Sequence, residues 1–273
     1  MRGYEEIRRI LTEELGFVDL AAYRRWIEAE RPRTRPTREH IERLSPDHVD
    51  CRAFWRACDE LYGIDPVCNI AVGPGVEAPA DGAEARLEAN RQNLRLAKTF
   101  GITALLEEHA GSRLRTLEIG PGFGSLKHWI ETSTRHRYVA FDVVPRVPDV
   151  RETTADGCLP ADFVAAARGE FSYVVSSNVF QHFSQRQRTR YFEDAHALLQ
   201  AGGLFVFNLS VDVGNVPDHM RDEGGVAWAD HYGQYTLIPR PPDLFRELRA
   251  RYDLLYTTQR WDGVLNVVCR KRG

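Results

Sequence analysis

The residues of this chain best suited to chemistry are an acid and three alternating glycines: Glu118, Gly120, Gly122 and Gly124. Because glycine has no Cβ, a turn made of these residues lets a ligand lie directly against the backbone. At the start of a helix, such a turn can hold a nucleotide-like group through its amides. The same pattern also occurs in turns that bind nothing. The four residues therefore indicate a nucleoside site only if a second signal supports it.

A second carboxylate supplies that signal. Asp142 ends the apolar run 137–142 and lies 24 residues after Glu118 (142 minus 118). Rossmann-like sites place an acid at a similar spacing, where it binds ribose hydroxyls. A lone aspartate at the end of a strand is often only a cap. The two acids and the glycines together predict a nucleoside site.

This arrangement resembles the first motif of class I S-adenosylmethionine-dependent methyltransferases, and Asp142 matches the family's ribose-binding acid. Three later segments, 156–160, 171–183 and 198–207, resemble the family's later loops and strands in order and spacing. The resemblance covers about residues 101–273 of this chain. It implies a methyltransferase with S-adenosyl-L-methionine as the methyl donor and S-adenosyl-L-homocysteine as the product.

The resemblance also implies which residues hold the cofactor. They are Glu118, Gly120, Gly122, Gly124, Asp142, Asp156, Gly157, Asn178, Val179 and Phe180. Asp156 would meet the adenine amino group, while Asn178 and Val179 would lie beside the methionine moiety or the adenine. Phe180 has two roles open to it: a pocket wall near the sulfonium, where an aromatic face attracts a cation, or packing within the loop.

Candidate catalytic residues lie beyond the fourth and fifth strands. His182 follows the carboxyl end of a strand, where ligands gather in open α/β sheets, and histidine titrates near neutral pH. The family often has histidine here without using it as a base, so we favour a structural hydrogen bond. The insertion 212–235 is too long for a plain loop and is rich in titratable groups, as an active-site lid would be. Within it, we expect His231 and Tyr232 to contact the acceptor.

The segments that must position these residues follow from the spacing of apolar side chains. The run 114–119 is short, apolar and followed by glycine, which predicts a buried strand. Residues 125–131 then supply a helix with one apolar face. Further along, Ser184 and Gln187 form a capping-box pattern, which predicts the start of another helix.

The end of the chain identifies the kind of sheet. Two β-rich runs, 252–259 and 264–269, are separated only by residues 260–263. So short a connection joins antiparallel neighbours, because parallel strands need a crossover of a dozen or more residues. We therefore predict an α/β fold: a Rossmann-like seven-stranded, mostly parallel sheet with a C-terminal antiparallel hairpin. A nicotinamide-binding Rossmann domain does not need this hairpin, so the pattern favours methyl transfer.

The chain before this sheet has a helical texture. We predict an N-terminal helical cap or lid region over residues 1–100 and a Rossmann-like methyltransferase domain over residues 101–273. Within the first region, Ser45 is expected to cap a helix that begins at Pro46 and ends at Gly63. A helical dimerisation or packing domain fits the same pattern, so the sequence leaves a monomer and a homodimer both open.

Composition limits the class of protein. The chain has 273 residues and a net charge of −3, so it lacks the basic footprint of a nucleic-acid-binding protein. Its first residues do not form the apolar stretch of a secretory signal, and no run reaches membrane-spanning length. Its five cysteines include no Cys-x-x-Cys pair, so neither a zinc ribbon nor a disulfide framework is expected. Cys51 and Cys58, with His40 and His48 before them, leave a metal site open, but core packing of small thiols is favoured. We expect a cytoplasmic protein without a bound metal.

The segment after the fourth strand narrows the acceptor. Enzymes that methylate adenine or glutamine amino groups carry there a polar residue, two prolines and an aromatic residue, whereas residues 177–180 read Ser-Asn-Val-Phe. We therefore predict methyl transfer to a hydroxyl or amine of a small organic acceptor, in specialised metabolism. Three alternatives stay open: a nicotinamide-dependent oxidoreductase, a cofactor-binding pseudo-enzyme, and a methyltransferase fold that assists a different reaction.

Overall fold

The fold is built on one seven-stranded sheet, with a separate two-stranded hairpin above it. The computed structural model describes residues 1–18, 35–62, 101–231, 234–259 and 263–273, together with residues 22, 25, 94, 95, 97 and 98. In chain order the strands are β1 (Arg115–Ile119), β2 (Arg137–Asp142), β3 (Val150–Glu152), β4 (Phe171–Ser176), β5 (Leu199–Ser210), β6 (Trp228–His231), β7 (Gln234–Leu237), β8 (Tyr252–Gln259) and β9 (Val264–Lys271).

The order of the strands confirms the predicted fold class. The sheet runs β3-β2-β1-β4-β5-β9-β8. Strands β1 to β5 pair in parallel, and β9 pairs antiparallel with both β5 and β8. The first parallel strands therefore end at one edge of the sheet, where ligands bind in open α/β folds. The beginning of β9 lies at that same edge, because Val264 pairs with Ser210 at the end of β5.

Helices cover both faces of the sheet. In chain order the α-helices are α1 (Tyr4–Arg9), α2 (Arg38–Leu44), α3 (Cys51–Tyr62), α4 (Ile102–Glu107), α5 (Ser125–Ser133), α6 (Ala161–Ala166), α7 (Gln185–Leu198) and α8 (Pro241–Arg249). Apolar side chains of α4 and α5 form a core on one face, and those of α6, α7 and α8 form a larger core on the other. The six residues of β4 are all buried, as expected for a strand covered on both faces.

Helix α7 begins as the sequence predicts. The Ser184 hydroxyl accepts a hydrogen bond from the amide of Gln187, while the Gln187 side chain accepts one from the amide of Ser184. This capping box satisfies two amides that a helix otherwise leaves unpaired. It fixes where the loop after β4 ends and the helix begins.

The predicted helix start at Pro46 is wrong, because α3 begins at Cys51. Residues 46–48 form a turn, and Val49 pairs with Arg2 in an isolated β-bridge. The carboxylate of Asp50 then accepts hydrogen bonds from the amides two and three residues later, at 3.0 and 3.1 Å. Aspartate is as good an N-cap as serine. The β-bridge between Arg2 and Val49, rather than a difference in capping preference, therefore explains why the helix is capped by Asp50 and not by Ser45. Gly63, the expected end of this helix, lies outside the described residues.

Helices α1 and α3 form an apolar cluster of their own. Its fully buried members include Ile7, Leu11 and Phe54. The isolated bridge to the chain start and this cluster hold α3 in place above the sheet edge. The division of the chain into a cap over residues 1–100 and a domain over residues 101–273 stays a prediction.

The insertion after β5 carries secondary structure of its own. A short 3₁₀ helix spans Asp218–Met220, and β6 pairs antiparallel with β7. Buried Arg188 of α7 holds this hairpin against the loop after β4, because its Nη1 donates to the carbonyls of Phe183 at 2.8 Å and Leu237 at 2.9 Å. Among the helices of the described residues, none has the length and apolarity that crossing a bilayer requires.

Candidate functional site

The glycine turn follows β1 directly and leads into α5. Gly120, Gly122 and Gly124 have φ angles of 70°, 55° and 76°, a region that residues with a Cβ rarely adopt. The amide of Gly120 donates to the carbonyl of Phe141 at 2.8 Å. A Cβ on Gly120 would lie only 2.3 Å from Cγ2 of Val179. The turn is therefore anchored to β2 and packed closely against Val179 in the loop after β4.

Asp142 joins the glycine turn at the end of β2. Its Oδ2 accepts from the amide of Gly122 at 3.0 Å, and its Oδ1 accepts from the amide of Val144 at 3.2 Å. The side chain is buried, and desolvation raises the pKa of Asp142, although Arg146 and these amides oppose the shift. The structure thus brings the glycine turn after β1 into direct contact with the acid at the end of β2.

Glu118, in β1 just before the glycine turn, is buried within the sheet. Its carboxylate accepts a hydrogen bond from the hydroxyl of Tyr138 in the neighbouring strand. Burial raises the pKa of Glu118 to about 8, and nearby Asp142 adds to this shift. Burial therefore favours the neutral form of the Glu118 carboxyl within the sheet.

The loop after β4 is held by a side chain that the sequence did not single out. Asn178 has a positive φ of 59°, a conformation that asparagine tolerates better than most residues. Its amide donates to Oδ1 of Asn208 at 2.6 Å, and Nδ2 of Asn208 donates back to Oδ1 of Asn178 at 3.1 Å. Asn208, near the end of β5, thus fixes the turn that carries Val179. No local sequence pattern predicts this role of Asn208, because its hydrogen-bond partner Asn178 lies in a loop 30 residues earlier.

Phe180 lies in the core rather than beside the glycine turn. Its ring is fully buried and packs with centroid distances of 4.8 Å to Phe207, 5.0 Å to Phe183 and 5.8 Å to Phe192. The burial of Phe180 therefore favours the packing role over that of a pocket wall. A ring enclosed by other aromatic side chains presents no face to a sulfonium.

Helix α3 crosses the loops that carry the site. Asp59 accepts from Nη2 of Arg146 with both carboxylate oxygens, at 2.7 and 2.8 Å. Nη1 of the same arginine lies 3.9 Å from Oδ1 of Asp142. At the other strand end, the ring of Trp55 meets the ring of His182 edge-on at 5.0 Å. One N-terminal helix therefore contacts both the loop after β2 and the loop after β4.

His182 is enclosed by these contacts. Burial lowers the pKa of His182 to about 4, so its ring is neutral at pH 7. A neutral imidazole can accept a proton, but such a low pKa makes it a weak base. The geometry agrees with a structural role for this ring more than with general-base catalysis.

Asp156 faces a groove on the surface. Its carboxylate accepts from the hydroxyl of Thr154 and lies 3.6 Å from Nη1 of Arg186. Burial alone would raise the pKa of Asp156, but the hydrogen bond from Thr154 and the charge of Arg186 lower it. The groove, of about 800 Å³, lies between the loop 154–161 and α7. Its lining includes Asp156 but none of the three turn glycines. Adenine recognition by Asp156 stays a prediction.

Gly157 holds the same loop against two helices. Its φ is 72°, and its carbonyl accepts from the hydroxyl of buried Tyr191 at 2.7 Å. A Cβ here would lie 2.9 Å from Nε2 of Gln187 and 3.3 Å from Cβ of Cys51. Burial raises the pKa of the Cys51 thiol to about 12, so this cysteine packs as a small neutral group.

The two expected acceptor-contact residues, His231 and Tyr232, belong to the insertion after β5. Tyr232 and the side chain of His231 lie outside the described residues. The backbone of His231 ends β6 and pairs with Gln234 across the hairpin. The next residues of β7 face the site, since the hydroxyl of Thr236 donates to the carbonyl of Gln181 at 2.7 Å. The predicted lid is thus a hairpin that touches the loop after β4.

Comparison with known proteins agrees with this geometry. Residues 117–207 match a family described as the methyltransferase domain. The matched stretch contains the glycine turn, Asp142, Asp156 and the loop after β4. A search of curated protein sequences finds no match to this chain.

Solved structures share the fold at low sequence identity. The PH0226 protein from Pyrococcus horikoshii OT3 is 12% identical, with a TM-score of 0.51 over 75% of this chain and 98% of that chain. The [4+2]-cyclase SpnF is 14% identical, with a TM-score of 0.51 over 84% and 97%. A Burkholderia thailandensis 1,6-didemethyltoxoflavin-N1-methyltransferase, solved with 1,6-didemethyltoxoflavin and S-adenosylhomocysteine, is 20% identical, with a TM-score of 0.47 over 74% and 94%.

Proposed function

We propose that this chain is a class I S-adenosylmethionine-dependent methyltransferase that moves the methyl group of S-adenosyl-L-methionine to a small organic acceptor. The match of residues 117–207 to a methyltransferase domain family supports this proposal. The acceptor atom is a hydroxyl oxygen or an amine nitrogen, and the reaction belongs to specialised metabolism in the cytoplasm. The net charge of −3 supports a small molecule over a nucleic acid, because the chain has no overall excess of basic residues to attract a phosphate backbone.

One contact carries this proposal: the 3.0 Å hydrogen bond between Oδ2 of Asp142 and the amide of Gly122. It joins an acid suited to ribose hydroxyls to a turn whose bare backbone suits the amino acid part of the donor. The close packing of Val179 on Gly120 adds the loop after β4 to the same edge. These residues fit the donor as its ribose and methionine contacts, and Asn178 lies beside them.

The donor supplies a methyl group that its positive sulfur already activates. The protein therefore has to hold the acceptor in line with this group and keep water away. Positioning of this kind contributes roughly 7–11 kcal/mol, whereas a general base adds about 10²- to 10⁴-fold. The helix α3 and the hairpin β6–β7 are suited to excluding water, because they cover the edge from two sides.

Removal of the acceptor proton needs a group other than His182. The pKa of His182 is about 4 because of burial, which is too low for an efficient base at neutral pH. We propose His231 and Tyr232 for acceptor contact. His231 is the last residue of β6, the strand that pairs with β7, and Tyr232 is the next residue in the sequence. Loss of both side chains without loss of turnover would exclude this assignment.

A second candidate function uses the same site without methyl transfer. The fold is shared with a protein described as a [4+2]-cyclase, so the fold alone does not determine the reaction. A cofactor-binding pseudo-enzyme is compatible with the same contacts. A nicotinamide-dependent oxidoreductase is less consistent with the antiparallel β8–β9 pair at the end of the sheet.

Two measurements test the proposal. Calorimetric titration is expected to give one-to-one binding of S-adenosylhomocysteine and no binding of NADH. Incubation with methyl-labelled S-adenosylmethionine and a small-molecule metabolite extract is expected to transfer label into an extract component. Binding of the cofactor without any transfer would favour the pseudo-enzyme or the cyclase-like alternative, and binding of NADH instead would favour the oxidoreductase.

A further inference from the structure

Four described side chains bury polar atoms that have no hydrogen-bond partner within the described part of the chain. The atoms are Oγ of Ser177, Nδ2 of Asn178, Oδ1 of Asn266, and both Oε1 and Nε2 of Gln234. Buried polar groups in folded proteins are almost always paired, because each unpaired one costs about 1–3 kcal/mol. Such a group in a native protein calls for a physical reason.

These atoms lie at one edge of the molecule. Ser177 and Asn178 directly follow β4, and Asn266 pairs in register with Asn208 near the end of β5. Gln234 opens β7, the strand that contacts the loop after β4 through Thr236. All four therefore lie toward the carboxyl ends of β4 and β5, next to the turn of Gly120 that packs under Val179. Ligands of open α/β folds bind at this edge.

Gln234 has two unpaired buried atoms, whereas each of the other three side chains has one. Its side chain is 1% exposed, and neither its oxygen nor its nitrogen has a hydrogen-bond partner among the residues that the structure describes. It shares a face of β7 with Thr236, because side chains two residues apart in a strand point the same way. Since the hydroxyl of Thr236 donates to the carbonyl of Gln181, that face is directed to the loop after β4. The carboxamide of Gln234 is thus held inside, toward the candidate acceptor side.

The hydrogen-bonding groups of the Gln234 carboxamide determine which ligand group can pair with it. The carboxamide presents one acceptor oxygen and one donor nitrogen in a single plane. A lactam or primary amide satisfies both, because it presents a donor beside an acceptor. A carboxylate only accepts, so it would leave Oε1 of Gln234 facing another lone pair. A neutral amide-like group is therefore the better partner.

We propose that Gln234 is a specificity-determining residue of the acceptor pocket and that the acceptor carries a neutral lactam or amide group. The two hydrogen bonds to this group orient the acceptor, and Nδ2 of Asn178 is a further donor within the same edge. A site built to pair a polar group rejects analogues that lack it, because its own buried atoms are then left unpaired. The inference rests on the proposed methyl transfer, which gives this edge its acceptor.

Binding of small probes to the protein saturated with S-adenosylhomocysteine tests this inference. The probes are 2-pyridone, which has a donor beside an acceptor; N-methyl-2-pyridone, which lacks the donor; and benzoate, which only accepts. Ligand-observed NMR would measure their affinities for the wild type, for Gln234→Met and for Gln200→Met. Methionine keeps the length of glutamine without its polar atoms, and Gln200 is an exposed residue of β5 that serves as the matched control.

We expect 2-pyridone to bind the wild type and Gln200→Met equally. It should bind Gln234→Met about 10-fold more weakly, as the loss of two neutral hydrogen bonds implies. N-methyl-2-pyridone and benzoate should bind the wild type more weakly than 2-pyridone. The inference is overturned if 2-pyridone does not bind, if benzoate binds more tightly, or if Gln234→Met binds 2-pyridone as well as the wild type.

Thermal unfolding provides a readout that needs no ligand. Because Gln234→Met removes two unpaired buried atoms, it should raise the Tm of the ligand-free protein by roughly 2–8 °C. An unchanged or lower Tm, including failure to fold, would mean that the carboxamide is satisfied within the fold, and this would overturn the inference.

Calorimetry with S-adenosylhomocysteine separates the two proposals. Equal affinity for the wild type and Gln234→Met is expected, because Gln234 is assigned to the acceptor alone. If the wild type does not bind S-adenosylhomocysteine, the proposed function fails. If it binds but the probes fail to discriminate, only the assignment of Gln234 fails.

Discussion

The glycine turn and the β6–β7 hairpin differ in whether their polar groups are hydrogen-bonded within the described part of the protein. In the turn, Gly120 donates to Phe141 and Gly122 donates to Asp142, so the backbone is paired within the protein. In the hairpin, the carboxamide of Gln234 is buried without a partner in the described residues. The first region is thus preorganised by the fold for one donor. The second keeps hydrogen-bonding capacity for a ligand, and its selectivity depends on which ligand pairs with it.

The largest expected effect comes from filling the space above the glycine turn. In Gly120→Ala, the new Cβ would lie 2.3 Å from Val179, at a φ of 70° that alanine adopts poorly. Either the turn or the loop after β4 must move, so we expect the Kd for S-adenosylhomocysteine to rise about 100-fold or more, measured by calorimetry.

A matched control separates contact from backbone strain. Gly169 has a φ of 72° and nothing within 4 Å of an added Cβ. Gly169→Ala should therefore lose about 1–2 kcal/mol of stability and retain its cofactor affinity. Equal loss of affinity in both variants would mean that strain alone, and not the turn's contact with Val179, controls the site.

Removing the charge of Asp142 should have the next largest effect. Asp142→Asn keeps the shape of the side chain but replaces one acceptor oxygen with a donor, which opposes the amide of Gly122 or Val144. Hydrogen bonds to charged groups are worth about 1.5–3 kcal/mol, so the Kd for S-adenosylhomocysteine should rise roughly 10- to 100-fold. Asp162→Asn, at an exposed position of α6, should leave binding unchanged. An unaltered affinity in Asp142→Asn would remove this acid from the ribose site.

Asn208 holds the loop after β4, which contacts both regions, and its loss should have an intermediate effect. Asn208→Leu removes both hydrogen bonds that hold Asn178 in its positive-φ conformation. We expect the KM for S-adenosylmethionine to rise about 10-fold, with kcat changing less, because the altered turn is at the cofactor rather than at the acceptor.

A double-mutant cycle tests whether Asn208 acts through Asn178. Glycine adopts positive φ without a side chain to hold it, so Asn208→Leu should cost less in an Asn178→Gly background than in the wild type. Additive losses would place the role of Asn208 elsewhere in the sheet.

The contact of α3 with the loop after β2 should matter less. Asp59→Asn weakens the two hydrogen bonds to Arg146 and leaves this arginine, 3.9 Å from Asp142, less restrained. Both side chains are partly exposed, and pairs of this kind are worth about 1 kcal/mol. We therefore expect a two- to five-fold rise in the Kd for S-adenosylhomocysteine. Arg56→Ala breaks the more exposed pair of α3 with Glu152 and should have no effect on binding, so equal effects would argue against a specific role for Asp59.

Stability, rather than ligand binding, should depend on pH, with opposite signs in two parts of the site. The folded pKa of Glu118 is raised to about 8, so its contribution to stability is complete below pH 4.5 and is lost as the pH rises toward 8. The folded pKa of His182 is lowered to about 4, so stability is lost as the pH falls from 6.5 toward 4.

Denaturant unfolding at several pH values would measure both. Each group changes the free energy of unfolding by at most about 1.4 kcal/mol per pH unit within its own range. Glu118→Gln should flatten the alkaline side of the profile, and His182→Gln should flatten the acidic side. A wild-type profile that Glu118→Gln leaves unchanged would mean that Glu118 is ionised in the folded protein.

The glycine turn, the start of α7 and the antiparallel end of the sheet can be predicted from the sequence, because the patterns that specify them are local. The glycines, Asp142 and the capping box of Ser184 and Gln187 each owe their conformation to nearby residues or to the end of one strand. The short 260–263 connection likewise requires antiparallel strands whatever surrounds it. These features follow from backbone geometry, so no knowledge of the tertiary fold is needed.

The rest depends on contacts between distant segments. Asn208 acts on a loop 30 residues earlier, and Phe180 is buried because β5 and α7 bring aromatic rings around it. The start of α3 is set by a β-bridge to the first residues of the chain. The unpaired amide of Gln234 is visible only once the hairpin is folded over the loop after β4.

A crystal structure of the protein with bound S-adenosylhomocysteine tests the central claim most directly. The account predicts the homocysteine part against the turn from Gly120 to Gly124, the ribose hydroxyls within hydrogen-bonding distance of Asp142, and the sulfur directed toward the loop after β4. A homocysteine sulfur that lies away from this turn, or a ligand that leaves Asp142 without contact, would contradict it.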